Sequence, residues 1–150
     1  KVITNFGNLG TKVWYNGYAI KDERNVCPEG WHVATEQDYL DVLSLFDSPD
    51  SDGDWPNAGP ALKKQNGGWE DTYPDGQATN ESYLSFESFQ HPYCTNNYVP
   101  PSSGAAPYIW TGTIHSNGDN ITFSLGDGSN EVNFTTSSNY ELRTCRCVKD

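Results

Sequence analysis

The feature that most constrains the fold is the run from Cys27 to Phe46, CPEGWHVATEQDYLDVLSLF. Its first half is punctuated by Pro28 and Gly30, which places Cys27 just outside a regular element. Thr35 is a natural N-cap, and Asp38 three residues on completes an acidic capping box. Glu36 adds a carboxylate in the first turn, where the helix dipole favours negative charge. Tyr39, Leu40, Leu43 and Phe46 then recur at helical spacing, so the pattern predicts an amphipathic helix over 35–46 whose apolar stripe must be buried.

Elsewhere the period changes. Val2, Val13, Tyr15, Tyr18 and Ile20 supply one or two early strands, with Asn16-Gly17 as the turn between them. Residues 108–114, 120–125, 131–135 and 142–148 read as four strands. Gly118-Asp119 and Gly126-Asp127-Gly128 mark two of the turns that join them. Between helix and strands lie an acidic loop, DSPDSDGDWPNAGP (47–60), a short second helix beginning at ALKK (61–64), and a long turn-rich excursion from Trp69 to Pro107. Loops of that length inside a compact domain are usually functional. The layout is α+β: an early amphipathic helix, a long irregular region and a C-terminal antiparallel sheet, all in one domain spanning 1–150.

Charge narrows the partners. Nine basic against twenty acidic residues leave a net charge of −11, which disfavours nucleic acid and anionic membrane surfaces. No apolar run is long enough for direct membrane insertion. Four cysteines without a CxxC pair favour disulfides, and hence an oxidising, extracellular or cell-surface setting. The chain starts at Lys1 and contains no methionine, as expected of a processed or excised piece of a secreted protein. The sequons at Asn80, Asn120 and Asn133 are read as chance in a chain so rich in Asn, Ser and Thr.

Three segments besides the opening run carry a resemblance: WYNGYAIKDERN (14–25), ALKKQNGGW (61–69) and the terminal RCVKD (146–150). Together with CPEGWHVATEQDY they are similar to the Fibrobacter succinogenes major paralogous domain, a bacterial surface or secreted module. Ala34 departs from the usual proline, and the stretch 70–108 matches little. The resemblance implies a C-type-lectin-like fold and a Cys27–Cys147 disulfide, since both cysteines fall in its most recognisable segments. Cys145 would then pair with Cys94. The alternative, Cys27–Cys145 with Cys94–Cys147, stays open. The formylglycine-generating enzyme belongs to the same broad fold class and uses cysteines. Here no orienting base accompanies any cysteine, and no hydrolase elbow, phosphate loop or metalloprotease helix is present. No catalytic residue is therefore assigned.

Two sets of site candidates follow. Asp47, Asp50, Asp52 and Asp54 form an oxygen-rich loop that could take calcium, although the run lacks the glycine of an EF-hand. Trp55, Trp69, Tyr73, Tyr83, Tyr93 and Tyr98 lie among amides and hydroxyls, the composition that stacks on sugars or grips a peptide. Trp69, in a family-like segment, is a core candidate, and the other rings divide evenly between core and surface roles. The leading expectation is a non-catalytic binding module for a glycan or protein ligand. The alternatives are a structural or adhesive subunit of a surface assembly, and an enzyme on the related fold.

Overall fold

A computed structural model describes residues 13–65, 67, 69, 78–87, 107–126 and 128–150. The element order is β1 (Tyr15–Asn16), α1 (Gly17–Ile20), β2 (Trp31–Val33), α2 (Glu36–Leu43), α3 (Gly59–Leu62), β3 (Tyr108–Ile114), β4 (Asn120–Leu125), β5 (Val132–Ser137), β6 (Leu142–Cys145) and β7 (Cys147–Lys149). Five strands form one sheet in the order β1-β6-β3-β4-β5, and β2 pairs with β7 in a second. The fold is thus a mixed α and β arrangement with short helices.

The N-terminus of α2 forms as its sequence dictates. The Thr35 hydroxyl accepts from the Asp38 N–H at 3.2 Å, and the Asp38 carboxylate accepts from the Thr35 N–H at 2.8 Å, a reciprocal capping box. The helix ends at Leu43, shorter than its pattern suggests. Phe46 lies in a following turn, its N–H donating to the Leu43 carbonyl. Tyr39 and Leu43 are buried. The Tyr39 ring stacks on Phe123 of β4 at 4.3 Å, and Phe134 and Phe86 close around the same pair. This aromatic knot fastens the helix to one face of the sheet.

The other face of the sheet is polar yet covered. Asn120, Thr122 and Arg143 are buried there. The Thr122 hydroxyl donates to the Thr135 carbonyl, and the Arg143 guanidinium lies over the rings of Tyr108 and Trp110. Burial of Asn120 agrees with reading its sequon as chance.

Four expectations are corrected. Asn16-Gly17 is not a hairpin turn: Asn16 caps a one-turn helix, its side chain accepting from the Ala19 N–H at 2.9 Å. Gly17 passes so close to Asn139 that an added Cβ would sit 2.4 Å from the Asn139 amide oxygen. The main sheet is not wholly antiparallel, because β3 and β6 pair in parallel through Ile109–Thr144 and Trp110–Cys145. The strand expected over 142–148 is split at Arg146, so Cys145 and Cys147 belong to different sheets. The short helix starts earlier, with Pro60 in its first turn, and stops at Leu62.

Cys27 and Cys147 form a disulfide, so the alternative pairing through Cys27–Cys145 falls. Cys94 lies outside the described residues. Cys145 has no disulfide partner among the described residues, and burial pushes its thiol up to about 12.

Candidate functional site

Beside the aromatic knot, the exposed side of α2 faces the loop that follows it. Glu36, Gln37, Leu40, Asp41 and Ser44 form one wall, and Pro49, Asp52, Gly53, Asp54 and Trp55 the other. Phe134 of β5 supplies the floor. The space between them is an open cleft of about 650 Å³, within the range of ligand pockets. Helical periodicity explains the first wall. Tyr39 and Leu43 turn to the core, which leaves Gln37, Asp41 and Ser44 exposed.

The second wall is built by its own carboxylates. The Asp50 Oδ1 accepts from the N–H groups of Asp52 and Asp54 at 2.9 and 3.1 Å, and the Asp47 Oδ2 accepts from the Asn57 N–H at 2.7 Å. Gly53 allows the turn with φ at +89°. Trp55 then exchanges two backbone hydrogen bonds with Val132, each 3.0 Å, which pins the loop to the start of β5. Burial, helped by Asp50, Glu131 and Asp52, raises the Asp54 carboxyl above its ordinary range. The cleft therefore carries crowded negative charge over an apolar floor.

The expected site residues are distributed differently from their sequence grouping. Trp55 and Trp69 are only 5 % and 8 % exposed and are core side chains. Trp69 donates its indole N–H to the Phe86 carbonyl and receives the Lys63 ammonium on its face. Neither ring offers an open stacking surface, though Trp55 contributes to the cleft wall. Tyr83 is 88 % exposed and stands away from the cleft lining. Tyr73, Tyr93 and Tyr98 lie outside the described residues. Asp52 and Asp54 line the cleft, whereas Asp47 and Asp50 spend carboxylate oxygens on the loop backbone. Among the described residues, the four aspartates form no group of three or more acidic, histidine or cysteine ligands able to hold a metal ion. The wall from α2 and the Phe134 floor escaped the sequence reading. The exposed complement of the helical stripe was its one available signal.

His32, from the GWHV run, ties Asp150 to α2. Its Nδ1 lies 2.6 Å from Asp150 and its Nε2 3.1 Å from Asp38. The hydrogen bond to Asp150 raises the imidazole above its ordinary value; burial opposes it, and the hydrogen bond to Asp38 adds to the rise. Burial works to raise the Asp38 carboxyl, but hydrogen bonds from Thr35 and His32 hold it below its ordinary value. The raised histidine adds stability that is complete below its unfolded value of about 6.5 and lost as pH rises through the folded value. Thermal melts at about pH 5.5 and about pH 8.5 should therefore show the wild type losing more on alkalinisation than His32→Gln, which lacks the titrating group. Equal losses would remove His32 from the pH dependence.

A mixed α and β fold closed by the Cys27–Cys147 disulfide, with an acidic cleft beside α2, is the class of protein that these features define. The family described as the Fibrobacter succinogenes major domain matches residues 5–149, and the chain belongs to that family. No curated protein and no solved structure matches. Among the described residues, no helix is long and apolar enough to cross a membrane.

Proposed function

We propose that this chain is a non-catalytic binding module, secreted or displayed at the cell surface, which holds a glycan or protein ligand in the cleft between α2 and residues 49–55. The observation that carries this reading is the cleft itself: about 650 Å³, open, lined by the apolar Leu40, Trp55 and Phe134 together with the carboxylates Glu36, Asp41, Asp52 and Asp54. Apolar floor with convergent polar groups is the usual composition of a ligand site. The disulfide supports an oxidising location. A C-type-lectin-like kinship is supported by the pairing of early with late strands, β1 with β6 and β2 with β7. The non-catalytic reading is supported by Cys145, whose thiol stays protonated at neutral pH and is a poor nucleophile.

The test is a pair of arrays, one of glycans and one of peptides, probed with wild type and Gln37→Trp. Gln37 is exposed on the cleft wall, so the indole fills the cleft without disturbing the core. Binding should fall by at least about tenfold, with the melting temperature nearly unchanged. Binding that survives the filled cleft would move the ligand elsewhere. Running both arrays with calcium and with EDTA separates a cation-bridged ligand from one held by side chains alone.

A further inference from the structure

The outer edge of β5 borders the same cleft, and its hydrogen-bonding phase is fixed by its neighbours. Val132 exchanges both backbone bonds with Trp55, on the side away from β4. The Leu125 N–H opposite it points to Pro107, also away from this pair. The Thr135 carbonyl points inward, accepting from the Thr122 hydroxyl. Because strand residues alternate, Phe134 and Thr136 must direct their N–H and C=O groups outward, like Val132. Among the described residues nothing outside the sheet bonds to those four groups. Trp55 thus occupies one position of an antiparallel partner strand, and the residues before it, Gly53 and Asp54, do not continue that strand along Phe134 and Thr136. Natural sheets usually blunt such an edge with charge, proline or cover, yet here the edge reads VNFTTS.

Side chains complete the selection. Phe134 faces the aromatic knot and the cleft. A strand laid along β5 therefore projects alternate side chains toward Glu36, Asp41, Asp52 and Asp54. The described residues place no ion-pair partner on any of these four carboxylates.

We infer that the cleft receives an extended, lysine- or arginine-bearing peptide segment of a partner protein, added as a further strand on Phe134 and Thr136. Backbone pairing supplies general affinity, and the acidic rim selects basic side chains at alternate positions. The inference rests on the binding-module reading above and names its ligand class.

The probe is a short, end-blocked, fluorescein-labelled peptide alternating lysine with threonine, titrated by anisotropy against the intact chain. Two backbone-methylated versions, one at the lysine amides and one at the threonine amides, block each set of donors in turn. One of the two should bind at least about tenfold more weakly than the parent. A glutamate-for-lysine peptide should not bind, and added salt should weaken the parent. Amide exchange at Phe134 and Thr136 should slow on binding. Thr136→Pro removes one outward donor while sparing the pairing with β4, and should weaken the parent peptide as well. Equal binding of the parent and both methylated peptides, equal binding of the glutamate peptide, or unchanged exchange at both residues would overturn the inference. A glycan that binds the cleft while the lysine peptide does not would also overturn it, yet leave the binding-module reading standing.

Discussion

Replacing both Cys27 and Cys147 with serine is expected to cost about 4–5 kcal/mol of stability on the chain-entropy account. The bond closes a loop of 120 residues, so its removal frees nearly the whole unfolded chain. Its native surroundings are already organised. Val33 pairs with Cys147, and the Cys27 N–H donates to the Asn25 side chain. The loss should therefore appear mainly in the unfolded ensemble, as a melting temperature lower by on the order of 10 °C, with the same folded spectrum. A peptide map under non-reducing conditions should contain Cys27 joined to Cys147. Finding both as free thiols, or an unchanged melt in the double variant, would contradict this role.

Phe123→Ala is expected to cost about 3–5 kcal/mol. The side chain is fully buried and lies at the centre of the knot, with Tyr39 stacked on one side and Phe86 and Phe134 at 5.5 and 5.6 Å. Truncation removes a ring's worth of dispersion contacts and leaves a cavity that three rigid aromatics cannot collapse into. Phe123→Leu keeps much of the volume and should cost clearly less. Denaturant unfolding of the two variants checks this. Similar, small losses in both would mean that the helix is not held by this contact.

The parts of the fold legible in the sequence are those with local causes. Thr35 and Asp38 announce the start of α2 because the capping box is completed within four residues. The alternation of β3, β4 and β5 is visible because one face meets the aromatic knot. What sequence could not show is nonlocal. The three residues of β2 acquire strand character only through β7, which lies more than a hundred residues away. The break at Arg146 has no turn signal, since the chain steps from one sheet to another without reversing. Trp55 sits among polar neighbours, and nothing local decides between core and surface until Val132 is brought against it.

The candidate site divides along the same line. Asp52 and Asp54 stand out in sequence as part of an acidic run. Gln37 and Asp41 are the exposed complement of a legible helix. Their meeting over Phe134 depends on Trp55 bonding to Val132, a contact that no local pattern encodes.

The most direct test of the cleft as the ligand site is an amide-resolved NMR titration with the lysine peptide and with any glycan that binds on the array. Shifts concentrated at Gln37, Asp41, Gly53, Asp54 and Phe134 are expected. Shifts gathered instead around exposed Tyr83 or Tyr140, with the cleft amides unmoved, would contradict it.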